Sequence, residues 1–272
     1  TEGVAFLEEK NGNAILGDEM GLGKTMQALA FLQLHPEFSP AVIIAPVSGK
    51  YHWKQKAEEW LSNDRHITLL ETMTVSNLTA PQDIVILSYN LVSKWITVLK
   101  QLRPKILIFD ECHYIKNNQA QRTKAVKKLA KNIPHIIPIS GTLILNRPRE
   151  IYNSVHMVDP TMFPNYMEFA KRYCGAKHTI FGWDCDGATN LEELHEKLKS
   201  LMIRRKKSEV LPQLPEKQKT LVPMKLTNYA EYEKADNDFL IWVKENKGTL
   251  AMKKAANAIA LNKITTLRQI AA

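Results

Sequence analysis

Lys24 and Thr25 follow two closely spaced glycines in GDEMGLGKT (Gly17 to Thr25), between an apolar strand start, NAILG, and the helical pattern MQALAFLQL. A glycine turn between a strand and a helix N-terminus turns backbone N–H groups toward an anion, with a lysine and a hydroxyl placed for phosphate and magnesium. Gly21 and Gly23 would line such a loop, Lys24 would meet phosphate, and Thr25 would meet both phosphate and Mg2+. The common phosphate-loop pattern has glycine six positions before the lysine, where this chain carries Asp18. The strict motif is therefore not met, and a plain glycine-rich connection is the alternative.

A second constellation follows the apolar run KILIF, where Asp110 and Glu111 emerge together at a strand end. One carboxylate can hold magnesium while the other orients and deprotonates an attacking water, which is the division of labour that phosphoryl transfer needs. An acidic strand end alone is more often a solvated cap, so the assignment rests on its pairing with the loop at 17 to 25. Ser140, Gly141 and Thr142 close the next apolar run, HIIPIS. Small hydroxyl residues there often only cap the following segment, while a relay between nucleotide and a second ligand is the functional reading.

Elements that could position these groups recur along residues 1–158. Runs rich in Ile and Val at 41–46, 66–71, 83–89, 105–111 and 135–140 alternate with helical patterns such as 48–61 and 119–131. Strands apolar on both sides, separated by helices, predict an α/β fold with a doubly wound, RecA-like parallel sheet covered on both faces, with ligands at the strand ends. Residues 159–226 read as a mainly helical appendage with a hairpin at 178–190 and a basic stretch, and residues 227–272 as a Lys- and Ala-rich helical segment.

The net charge of +9 favours a polyanionic partner. Three cysteines at no metal-ligand spacing suit a reducing compartment better than a disulfide framework, and no run approaches a membrane span or a secretion signal.

GDEMGLGKT, IIAPVSGKYHWKQKAEEW, ILSYNLV, DECHYIKN, ISGTLILNRPREIYN and LMIRRKKSEVLPQLPEKQ occur in the order of the motor segments of the Swi/Snf-like family, to which the chain is similar over nearly its whole length. These are ATP-driven double-stranded DNA translocases of helicase superfamily two. FPNYMEFAKRYCGAKHTIFGWDCDGATNLEEL resembles the insert of the HARP-like annealing-helicase branch, which remodels DNA forks. The resemblance implies ATP and Mg2+ at Lys24, Thr25 and Asp110, water activation by Glu111, and coupling of nucleotide state to movement by Ser140, Gly141 and Thr142. It makes Asp18 a family trait. Pro46, Ser48, Lys50 and Trp53 match its first DNA-contacting segment, and Ser88 with Tyr89 the second; contacts of this kind grip backbone without reading sequence. Arg204 and Arg205 would brace the connection between two motor lobes.

By the same resemblance, the adenine-reading glutamine falls ahead of Thr1, and the second motor lobe with its arginine finger would follow Ala272. The chain is thus expected to be the first lobe and linker of an intracellular, DNA-associated motor, in a nucleus or in bacterial or viral cytoplasm. Alone it should turn over ATP hardly at all, since an arginine finger contributes about a thousandfold or more. A strand-separating or RNA helicase of the same superfamily and a nucleotide-sensing scaffold are the alternatives.

Overall fold

The computed structural model describes residues 1–75, 78, 82–141, 147–180, 182–213, 229, 230 and 233. Thr142 and nearly all of the expected helical segment 227–272 lie outside the described residues. The chain falls into two compact units, Thr1–Leu214 and Pro215–Ala272.

In the first unit the order is α1 (Glu2–Glu9), β1 (Ile15–Leu16), α2 (Lys24–Leu34), β2 (Ala41–Ala45), α3 (Lys50–Trp60), β3 (Ile67–Leu69), β4 (Ile84–Ser88), α4 (Val92–Gln101), β5 (Ile106–Phe109), α5 (Gln121–Ala130) and β6 (His135–Pro138). Then come α6 (Tyr152–Val158), α7 (Tyr166–Tyr173), the strands β7 (Lys177–Thr179) and β8 (Gly182–Asp184), α8 (Leu191–Lys199), β9 (Met202–Ile203) and α9 (Lys207–Val210).

Five strands form a parallel sheet in the order β3-β4-β2-β5-β6. The runs AVIIA, IVILS and ILIF are buried along their whole length because helices cover both faces. Side chains alternate between those faces. Val42, Ile44, Val85, Leu87, Leu107 and Phe109 pack with Trp95, Val126, Val155 and Phe169. Ile43, Ile84, Ile86, Ile106 and Ile108 pack instead with Leu7, Ala28, Phe31 and Trp53. Burial of each such large side chain stabilises the fold by about 1.5–3 kcal/mol.

β1 pairs in parallel with β9 and touches β6 through a Leu16–Ile139 bridge, so the phosphate-loop strand is flanked on both sides. β9 lies within the stretch read from the sequence as a basic linker. Phe169, Tyr173, Leu194 and Leu198 of α7 and α8 belong to the same core as β4 and β5, so residues 159–213 are built into this unit. The expected hairpin is present as the antiparallel pair β7–β8.

Candidate nucleotide site

The chain leaves β1 through Gly17 and enters α2 at Lys24, with Gly23 at the helix N-cap. Gly21 and Gly23 have φ of 86° and 72°, a left-handed backbone that side chains rarely adopt, so this turn requires glycine at both positions. The Lys24 ammonium donates to the carbonyl oxygens of Asp18 (2.6 Å) and Glu19 (3.1 Å). Burial lowers its pKa, although Asp18, Glu111 and Asp110 pull the other way. Its charge is thus satisfied by neutral carbonyls, with no ion pair to a carboxylate among the described residues, which suits it to an incoming polyanion. Thr25 is half-buried beside it.

Asp18, the departure from the usual loop pattern, is fully buried. Arg205 grips it from β9's end. The Arg205 backbone N–H and Nε donate to Oδ1 (3.0 and 3.1 Å), and Nη2 donates to Oδ2 (2.5 Å). Gln27 of α2 adds a bond to Oδ2 at 3.1 Å. Burial alone would raise the Asp18 pKa, but the Arg205 and Gln27 hydrogen bonds hold it below the ordinary aspartate value. Arg205 also reaches Glu2 (2.9 Å), and a side chain on Gly3 would collide with Gln27. The network therefore ties α1, the loop, α2 and the segment after β9 together. Arg204, its neighbour in sequence, is exposed.

At the end of β5, Asp110 is held differently. Trp53 Nε1 donates to its Oδ2 (2.9 Å) and the Glu111 amide to its Oδ1 (2.9 Å). Burial raises its pKa; these two neutral donors only partly oppose that, and the Glu111 charge adds to it. Glu111 has φ 49° and ψ 57°, an unfavourable backbone for a residue with a side chain, of the kind retained at functional sites. Its carboxylate accepts from the buried Ser140 hydroxyl (3.2 Å) and faces His113 Nδ1 at 3.1 Å. A side chain on Gly141 would collide with Met20 and lie 3.1 Å from Lys24 Nζ. The end of β6 thus touches both the phosphate loop and the acidic pair.

The residues expected at DNA divide. Ser48 is exposed. Lys50 is buried, with its ammonium over the Tyr51 ring at 4.7 Å and 3.9 Å from Glu71. Ser88 and Tyr89 are buried too; the Tyr89 hydroxyl donates to the Asp110 carbonyl (2.5 Å) and its ring stacks on Tyr114. The side chains of Tyr89 and Trp53 are both buried, and each donates a hydrogen bond to Asp110. Trp60, seven residues on from Trp53, is exposed. Gln27, Trp53 and His113 were not assigned to the site from sequence. Gln27 left a signal as a polar residue inside the apolar run MQALAF, while Trp53 and His113 lie within the family segments quoted above.

A doubly wound parallel sheet whose first strand ends in a glycine turn and lysine, with an acidic pair two positions away in the sheet, defines a P-loop nucleotide-binding lobe. The SNF2-related domain matches residues 1–272, and the chain belongs to that family. It is 34% identical over 253 residues to the human DNA annealing helicase and endonuclease ZRANB3, covering 89% of this chain and 23% of that protein. The Xenopus tropicalis SWI/SNF-related matrix-associated actin-dependent regulator of chromatin subfamily A-like protein 1 is 37% identical over 224 residues, covering 81% of this chain and 24% of the relative. The chain therefore spans about a quarter of the length of these relatives. In fold it is similar to the Sulfolobus solfataricus SWI2/SNF2 ATPase core in complex with dsDNA, with TM-score 0.63 and 24% identity over 98% of this chain and 56% of that one.

Proposed function

We propose that this chain is the ATP-binding first lobe of a DNA-dependent ATPase that translocates on double-stranded DNA, and that the whole protein remodels forks as an annealing helicase. The observation that carries the reading is the convergence of Lys24, Asp110, Glu111 and Ser140 at one sheet edge. Their chemistry fits ATP and Mg2+. Among the described residues no carboxylate forms an ion pair with Lys24, and Asp110 is a half-buried acid whose hydrogen-bond donors are neutral.

In this reading the loop amides of Gly21 to Lys24 and the Lys24 ammonium hold the phosphates, while Thr25 and Asp110 hold magnesium. When bound, the metal neutralises charge developing on the transferred phosphoryl group. Glu111 orients and deprotonates the attacking water. Ser140 on Glu111 and Gly141 beside Lys24 sense the phosphates and pass that state along the edge, through Tyr89 and the Trp53 helix, to the exposed Ser48 at DNA. Arg205, with Arg204 beside it, joins the loop to the segment leading out of the lobe. The protein works inside the cell, with DNA, and completes its site with a second motor lobe. The ZRANB3 name supports the annealing reading.

The test is ATP hydrolysis by the complete protein with duplex DNA, forked DNA or RNA. Stimulation by duplex and forked DNA, lost in Lys24→Ala, is expected. Stimulation by RNA alone, or full turnover in Lys24→Ala, would overturn the assignment.

A further inference from the structure

We propose that a cleft at the edge of the sheet opposite the nucleotide site docks an acidic peptide segment carrying apolar side chains. Between residues 84 and 149 the sequence holds twelve Lys and Arg against two carboxylates, Asp110 and Glu111, a surplus of ten positive charges where the whole chain has nine. Both carboxylates follow β5 at the proposed nucleotide site, and helices α4 and α5 carry no acidic residue. Outside this region the chain is close to neutral.

Five of the twelve cations line two adjoining clefts. A cleft of about 580 Å³ has Leu102, Pro104, Leu129 and Ile133 as its apolar lining and Lys100, Arg103 and Lys105 around it. A neighbouring cleft of about 520 Å³ shares Ile133 and Pro134 and adds Lys127 and Lys131. Among the described residues no carboxylate lines either cleft. None of these five cations forms an ion pair among the described residues; Lys127 donates to Asn118 instead. Arg103 adopts φ 51°, a left-handed backbone that fixes this corner between α4 and β5.

Nucleic acid would use the cations and leave the apolar lining unfilled, since phosphates gain nothing there. A peptide alternating carboxylates with Leu or Phe fills both. The cleft lies at the N-terminal ends of β2, β5 and β6, next to Pro40, Lys105 and Pro134. A five-residue strand separates this edge from the nucleotide edge by roughly 15 Å.

The probe is a fluorescent fourteen-residue peptide of alternating Glu and Leu or Phe, titrated into the complete protein and followed by anisotropy. Lys100→Glu with Lys105→Glu should weaken binding about tenfold or more while nucleotide affinity is unchanged. Replacing Leu and Phe in the peptide by Ser should weaken it comparably. If the charge reversal unfolds the protein, Lys100→Gln with Lys105→Gln carries the same test with a smaller loss. Equal binding of the Ser peptide would show charge attraction alone and overturn the proposal. So would absence of binding, or a short DNA duplex that displaces the peptide and itself loses affinity in the same variant.

Discussion

Asp18 follows β1 and Asp110 follows β5, two positions apart along one sheet edge, and their surroundings treat them in opposite ways. Asp18 meets a guanidinium and an amide, so its charge is neutralised within the fold and its pKa is held down. Asp110 meets an indole and a backbone amide, both neutral, and its pKa is pushed up by burial. A carboxylate already paired shapes the backbone around it. One left short of positive charge is available to a cation from outside, which is the part the proposed function gives to Asp110.

The sharpest test of this contrast lies beside Asp110. Glu111→Gln keeps the size and the Ser140 contact but removes the base, and steady-state turnover in the complete protein should fall about 10²–10⁴-fold with ATP binding retained. Asp18→Ala should leave the chemistry nominally intact and attack the fold. It strands the Arg205 guanidinium, so urea unfolding should show a loss of about 3 kcal/mol, with weaker nucleotide binding from a loosened loop. Unchanged stability would place Asp18 outside any structural role.

The pH dependence of the two sites has opposite sign. For Asp18 the folded pKa is depressed, so its contribution is present above the unfolded value of 3.8 and is lost as pH falls through the folded value. For Asp110 the folded pKa is raised, so ionisation penalises the folded state as pH climbs from 3.8 through the folded value. Asp110→Asn should therefore stabilise the protein at pH 7, an advantage that shrinks to nothing in acid, as chemical denaturation at several pH values would show. The smallest effect is expected from Trp53→Phe. Loss of one hydrogen bond to Asp110 is worth about 1 kcal/mol and should raise the magnesium needed for half-maximal turnover a few-fold.

Much of this arrangement was legible in the chain. Strands covered on both faces read as unbroken Ile and Val runs, and all six named runs contain strands of the structure. The loop, the acidic pair and Ser140 follow those strands directly, so their meeting at one edge came with the parallel topology. β9 did not announce itself, because two residues beside MIRRKK leave too short a period to see. The Asp18–Arg205 pair joins residues 187 apart, and nothing local to either marks the other. Tyr89 and Trp53 fell in segments assigned to DNA, and only packing revealed that their polar tips turn inward to Asp110.

The pairing of β1 with β9 has a consequence for how the protein is made. The strand that launches the phosphate loop is synthesised before its outer neighbour and the arginine on Asp18, which come almost two hundred residues later in the chain. At ordinary synthesis rates of about 5–20 residues per second, the loop waits on the order of ten to forty seconds for its partners. The central strands, whose neighbours are closer in sequence, can pair in that interval. The loop between β1 and α2 can then take its final form only once β9 and Arg205 have been made.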